Sequence, residues 1–280
     1  MLIELQRYSD PAAYRAAVDG YLRANLNVCS QLFSIIKNMT AELAEERKAW
    51  LVRLRRSDQT CGLALINSAL PLRTLLVSPI DDVGAELIAS AMSADGIIVD
   101  GVLGVVQSAR GLTWRMGVQT SERVRLGNHV LDTPPLLAPC VGRMRAATLG
   151  DYDLLLAWEQ AFVLECGLPD NRSTLPAEIM ERLRGPVELM WLWEVDNIPV
   201  AMALGRPCQP IGRIGMVYTD PDRRGCGYAG ALVARLSAGL QAQGCRSVFL
   251  FTDLANSTSN GVYRRIGYRL LGEFVHLDVR

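Results

Sequence analysis

The chain has 280 residues, half of them hydrophobic and 21% charged, with 29 basic residues balancing 29 acidic ones. That composition supports a packed core and excludes disorder, and the absence of a basic surplus disfavours a nucleic-acid partner held through phosphates. No apolar run reaches the ~18 residues of a membrane span, and the first ten residues lack a signal-peptide pattern, so the expected location is the cytoplasm.

In chain order, residues 2–6 read as a strand and 11–26 and 29–38 as helices. Glu42, Glu45, Glu46, Arg47 and Lys48 form a solvated charge run. Strands are expected at 49–56, 61–67 and 73–77, a helix at 81–94, a strand at 97–100, a helix at 105–115 and a strand pair at 118–130. Pro134, Pro135 and Pro139 then interrupt regular structure, which marks 132–140 as a linker.

Beyond the linker, 141–148 alternates like a strand and Asp151 caps a helix running to about Cys166. A second short helix over 176–184 stops at Gly185-Pro186. Residues 188–195 and 199–206 are strands joined by the Asp196-Asn197 turn, and 211–218 is another. A helix over 228–243 ends at Gly244, 247–252 is a buried strand, 257–266 a helix, and 268–279 a strand pair bent near Gly272. The two halves give similar orders and end alike, on Met116-Gly117-Val118 and Ile266-Gly267-Tyr268. Two copies of one α+β unit are therefore expected, over 1–131 and 141–280.

The scarce residue types narrow the chemistry. Cys29, Cys61, Cys140, Cys166, Cys208, Cys226 and Cys245 are scattered without a CxxC pair, a reducing-compartment pattern. His129 and His276 are the only histidines, outside any HExxH frame, which disfavours a zinc site or a histidine triad. No lysine follows Lys48, so the second half holds neither a P-loop nor a Schiff-base lysine.

The chemistry-bearing segment runs from Val217 to Gly230: a strand, a turn at Pro221, the pair Arg223-Arg224, closely spaced small residues, then a helix. Amides at a helix start have no intrahelical partner, and the helix dipole favours an anion there. Gly225, Gly227 and Ala229 let backbone approach a ligand closely, and Arg223 or Arg224 adds a charge-assisted contact. A pyrophosphate fits such a cradle. Gly225, Gly227 and Gly230 also match GxGxxG, with Asp253 near the spacing of a ribose-binding acid. Against that dinucleotide reading, Thr219–Arg224 separate strand from glycine, and too little chain follows Asp253 for a doubly wound sheet.

Arg224-Gly-Cys-Gly-Tyr-Ala229 resembles the [Q/R]-x-x-G-x-[G/A] loop of the GNAT N-acetyltransferase superfamily, with Val217 and Pro221 at the usual upstream positions. Asn256-x-x-Ser259-x-x-x-Tyr263-x-x-x-Gly267-Tyr268 resembles that superfamily's second signature, with serine in place of alanine. The bipartite layout further resembles a tandem-GNAT branch of bacterial acetyltransferases. The resemblance implies two GNAT-like domains, each a central mixed sheet flanked by helices, the first degenerate and the second a working acetyl-CoA-dependent transferase. By resemblance, the backbone of Val217, Tyr218 and Thr219 meets the pantetheine arm. Arg224, Gly225, Cys226, Gly227, Tyr228, Ala229 and Gly230 then wrap the pyrophosphate, and Asn256 bonds the cofactor arm. Tyr263 would be the general acid at the departing thiolate after direct attack by an amine. Acetyl-CoA is the implied co-substrate, with an amine-bearing small molecule or peptide as acceptor; no metal, nucleic acid or membrane is implied, and a homodimer is compatible. The alternative is a non-catalytic acyl-CoA-responsive binding module.

No base is assigned. The position where relatives carry a glutamate, five before Asn256, is Phe251, and Asp253, Glu165, Glu188 and Glu194 are the nearby acids. Cys226 is expected to serve through its amide rather than as a nucleophile. Trp191 and Trp193 are expected in packing. The first half, tested against the same template, has Pro79 but no arginine or glycine pair, and Asp81 and Asp82 would repel a pyrophosphate. That copy is expected to bind no CoA.

Overall fold

The structure, a computed structural model, describes residues 2–66, 73–168, 172–185 and 189–280. Two compact units are present. The first comprises Met1–Asn128, Asp253–Ala255 and Leu271–Arg280, and the second His129–Thr252 and Asn256–Leu270.

The first unit begins with strand β1 (Ile3–Tyr8), then helices α1 (Pro11–Ala24), α2 (Leu26–Asn38) and the short α3 (Ala41–Glu46). Asp10 caps α1 by accepting from the amides of Ala12 and Ala13, and Pro11 at the first helical position needs no partner. Strands β2 (Trp50–Arg56), β3 (Gln59–Ile66) and β4 (Thr74–Val77) follow, then α4 (Asp82–Ala94), β5 (Gly101–Val105), α5 (Val106–Arg115) and β6 (Thr120–Leu131). β1 through β4 pair antiparallel in sequence, and β4 pairs β5 in parallel. Ile66, Leu75, Val77, Ile88, Val102 and Leu112 form the heart of its core.

The second unit contains β7 (Arg143–Ala146), α6 (Tyr152–Glu165), α7 (Leu175–Arg184), β8 (Met190–Val195), β9 (Ile198–Cys208), β10 (Ile211–Thr219), α8 (Tyr228–Ala242), β11 (Ser247–Asp253) and α9 (Ser257–Ile266). The chain ends with β12 (Arg269–Val279). β7 through β10 pair antiparallel in sequence, and β10 pairs β11 in parallel. The sequence of pairings repeats that of the first unit. Alternation along β8 sorts the two cores: Met190 and Leu192 join α6 and α7 through Leu155, Trp158 and Ile179, while Trp191 and Trp193 join the α8 side. Asp196 and Asn197 both take positive φ (52° and 62°), the tight hairpin turn expected of that pair.

Several expectations are corrected. Residues 97–100 are not a strand; β5 starts at Gly101, where a Cβ would lie 2.6 Å from the His276 ring, and at Gly104 one would lie 2.6 Å from Val77. Close approach, which β-propensity does not register, selects glycine there. Part of the charge run is helix α3, capped by Thr40 through the amide of Leu43. The closing strand pairs are single strands, β6 and β12, and β12 runs through Gly272 without a turn. Phe274–Asp278 of β12 pairs antiparallel with β5, and Leu271–Arg280 belongs to the first unit. Residues 132–140 themselves carry no helix or strand. Asn67, Pro186 and Glu188 lie outside the described residues.

Candidate active site

The site grows from the end of β10. Parallel pairing with β11 covers Ile211–Arg213 against Ser247–Phe249, yet β10 continues to Thr219 and β11 to Asp253. A register shift between Gly215 and Tyr218 disturbs pairing with β9, and Met216 sits at φ 52°. Such a conformation costs an L-residue about 1–2 kcal/mol. Val217–Thr219 therefore end a bulged strand whose later residues are not paired to β11. Tyr218 turns its side chain into the α6–α7 core, 5.9 Å from the Trp158 ring, leaving its backbone as the part a ligand could meet.

A 3-10 turn over Pro221–Arg223 follows, with Asp220 accepting from the Asp222 amide. Arg224 is extended, and Gly225 and Gly227 both take φ 82°. Left-handed glycines thus flank Cys226, the kind of backbone alternation from which anion-binding nests are built. Gly227 is the N-cap of α8 and offers no side chain, and the first turn of that helix holds no acid. The first intrahelical bond comes from Ala231, so the amides before it face the exposed loop. Tyr228, Ala229 and Gly230 are half-buried on the first turn, where a Cβ at Gly230 would sit 3.4 Å from Val262 of α9.

Arg224 points away from this nest. Its Nη2 donates to both Glu165 oxygens at 2.7 and 2.9 Å, its Nε to the Thr219 carbonyl at 3.2 Å, and its guanidinium lies 5.5 Å from the Tyr218 ring centre. Glu165 is thus an ion-pair partner of Arg224 at the end of α6.

On the other side, Asn256 is the N-cap of α9, its Oδ1 accepting from the Ser259 amide at 2.9 Å. Gly267, at φ 112°, ends the helix. Tyr263 is buried, its ring 6.0 Å from Tyr268 and 6.4 Å from His129, and burial pushes its phenol well above the ordinary range. His129 was not among the candidates. Burial pushes its pKa down, so it is a neutral wall of the Tyr263 pocket; its only signal in sequence was the scarcity of histidine.

Among the described residues, the other candidate acids are engaged elsewhere. Glu194 is buried and bound by Arg143 and Arg145, which hold its carboxyl below the usual range. Asp253 caps a turn by accepting from the Ala255 amide. At Phe251 the Arg213 guanidinium lies 5.2 Å from the ring centre. Among the described residues, no group of His, Cys, Asp and Glu is arranged to hold a metal, and no helix is long and apolar enough to cross a membrane. In the first unit the equivalent helix start is closed from within. Asp81 caps α4 through the Gly84 amide, pairs with Arg56 at 3.0 Å, and borders a cleft of about 340 Å³ with Asp82 and Ser108.

Residues 155–268 match the Acetyltransferase (GNAT) family. That stretch is a GNAT acetyltransferase domain. A stretch of 116 residues is 28% identical to an acetyltransferase of Yersinia pestis, covering 41% of this chain and 79% of that protein. A 64-residue stretch is 39% identical to a mycothiol acetyltransferase of Cellulomonas flavigena, covering 23% of this chain but 18% of that longer protein. Two solved structures share the fold at low identity. A GCN5-related N-acetyltransferase from Sphaerobacter thermophilus (TM-score 0.63, 17% identity) covers 98% of this chain and 94% of its own. A GNAT-family acetyltransferase from Colwellia psychrerythraea (TM-score 0.61, 11% identity) covers 99% of both. The GNAT fold here is a mixed sheet flanked by helices, and the sequence relatives that match part of the chain are acetyltransferases.

Proposed function

We propose that the chain is an acetyl-CoA-dependent N-acetyltransferase whose catalytic part is residues 141–280, preceded by a degenerate GNAT-like unit over 1–131 and the segment 132–140. Supporting the tandem reading, the two units repeat one order of strand pairings, and the structural likenesses span nearly the whole chain.

The observation that carries the function is the uncapped, acid-free start of α8 behind two left-handed glycines. The amides of Gly225–Gly230 bind the pyrophosphate of acetyl-CoA, aided by the dipole of α8. The backbone of Val217–Thr219, where β10 has left β11, holds the pantetheine arm, and Asn256 donates its carboxamide N–H to it while its oxygen keeps the helix cap. The amine of the acceptor attacks the thioester carbon directly, and the oxyanion takes its hydrogen bond from backbone amide.

Tyr263 meets the leaving sulfur. A phenol at its ordinary pKa already lies above a thiol, by roughly 2 kcal/mol for full transfer. Burial raises it further, so Tyr263 stays protonated and serves as a hydrogen-bond donor to the thiolate. The ammonium proton leaves through water, since Glu165 and Glu194 are both held by arginines.

The test is calorimetry with acetyl-CoA, followed by CoA release over a panel of small and peptide amines. One equivalent bound per chain and turnover with an amine are expected; no binding refutes the assignment. Two equivalents would refute the inactivity of the first unit, whose α4 start is filled by Asp81. Phe251 in place of a glutamate favours a second reading, a non-catalytic acyl-CoA-binding module. Binding without turnover on any amine would select it.

A further inference from the structure

Cys140 closes the proline-rich segment, and Cys226 lies between the two left-handed glycines of the anion loop. The Cys140 Sγ is 3.9 Å from the Cys226 carbonyl oxygen and 3.7 Å from that of Val141, while the Cys226 Sγ is 3.7 Å from the Arg224 carbonyl. Cys226 is exposed and Cys140 half-buried. The two thiols feel each other electrostatically: burial, and then Cys226, push the Cys140 thiol up, while Arg235 opposes them. At Gly225 and Gly227, on either side of Cys226, nothing lies within 4 Å of where a Cβ would stand, so no distant side chain crowds the loop at those two points.

We propose that Cys140 and Cys226 form a reversible disulfide, a modification site on the anion loop whose closure weakens acetyl-CoA binding. The second half of this statement rests on the loop being the pyrophosphate site. A peroxide is the oxidant. The exposed Cys226 thiolate attacks it, forming an S–O bond as the O–O bond breaks and one water leaves. Cys140 sulfur then attacks the sulfenic acid; the S–S bond forms, the S–O bond breaks and a second water leaves. Two thiols have lost two electrons and two protons, and the peroxide has become two waters. A thiol or dithiol reductant reverses the step.

Closure weakens the cradle through one peptide plane. In a trans peptide the carbonyl of Cys226 and the N–H of Gly227 point opposite ways. With the carbonyl 3.9 Å from the Cys140 sulfur, the Gly227 N–H faces away from that sulfur. A disulfide needs its sulfurs about 2.05 Å apart with Cβ atoms roughly 4 Å apart, so the Cys226 side chain must move to where its carbonyl now lies. The plane turns, and the Gly227 N–H leaves the nest.

The full chain is treated with hydrogen peroxide, remaining thiols are blocked, and the peptides are mapped by mass spectrometry. Acetyl-CoA binding is measured on reduced, oxidised and re-reduced protein. The expected result is a peptide pair linked through Cys140 and Cys226, a dissociation constant raised roughly tenfold or more, and recovery with dithiothreitol. Cys140→Ser should bind acetyl-CoA like the wild type and keep that affinity after peroxide. Absence of the linked peptide overturns the proposal, as does a link formed without loss of affinity. A reduced chain that does not bind acetyl-CoA refutes the loop assignment instead, and the peptide map still decides whether the cysteines pair.

Discussion

Gly227→Ala tests the anion nest at its most demanding residue. Gly227 sits at φ 82°, and a Cβ there would meet nothing within 4 Å, so the substitution adds backbone strain without a clash. Held in place, alanine costs about 1–2 kcal/mol in the left-handed region. Relaxed to negative φ, it avoids that strain but swings one or two amides out of the nest. A hydrogen bond to a charged group contributes ~1.5–3 kcal/mol, so acetyl-CoA affinity should fall roughly ten- to a hundredfold. Gly239→Ala, in the interior of the same helix and equally free of contacts, is the control. It should stabilise the fold by ~0.5–1 kcal/mol and leave binding unchanged. Urea unfolding reads the stability changes and calorimetry reads the affinity. Wild-type affinity in Gly227→Ala, or an equal loss in Gly239→Ala, would refute the reasoning.

Three further outcomes are expected. Tyr263→Phe should lower the rate of acetyl transfer to an active amine by tens-fold or more with little change in acetyl-CoA affinity; an unchanged kcat removes Tyr263 from the chemistry. Arg182→Met should destabilise by about 3–5 kcal/mol at pH 8, because Arg182 holds both oxygens of the fully buried Glu159 at 2.9 Å. Burial already raises the Glu159 pKa, so its stabilisation is full below the unfolded value and lost as pH rises through the folded one; the variant's deficit in urea should therefore shrink towards pH 5, and a pH-independent deficit contradicts this. Asp151 runs the opposite way: the Arg145 guanidinium beside it brings its pKa down to about 2, so its stabilisation is present above the unfolded value and lost as pH falls through about 2. Thermal unfolding of Asp151→Asn across acid pH should show a flatter slope than the wild type.

What was legible in the sequence was local. The positive-φ glycines at 225 and 227 and the Asp196-Asn197 turn are each determined within a few residues, and each is where the pattern placed it. Apolar periodicity likewise carried α8, whose Leu232, Leu236 and Leu240 are buried along one face. Failures gathered where tertiary packing overrules local preference. Residues 97–100 carry the apolar signature of a strand, yet Ile98 is 79% exposed and the strand falls on the glycines that follow. Nothing in 268–279 says that its second part will pair with residues 101–105, because that register is chosen across most of the chain.

The candidate site divides along the same line, and the division explains why its chemistry was only half readable. The proposed pyrophosphate contact uses backbone amides, whose direction is set by glycine φ and helix start, so residues 224–230 carry its signature. Proton transfer uses side chains brought together from distant segments. Arg224 reads as a phosphate contact until Glu165, 59 positions earlier, is found holding it. Tyr263 reads as a free acid until burial beside His129 and Tyr268 shows it to be a phenol fixed in its protonated form. Cys226 reads as a variable loop position until Cys140, 86 positions earlier, is found against its carbonyl. An anion cradle can be inferred from a dozen consecutive residues; the side chains that surround it are brought together only by the fold.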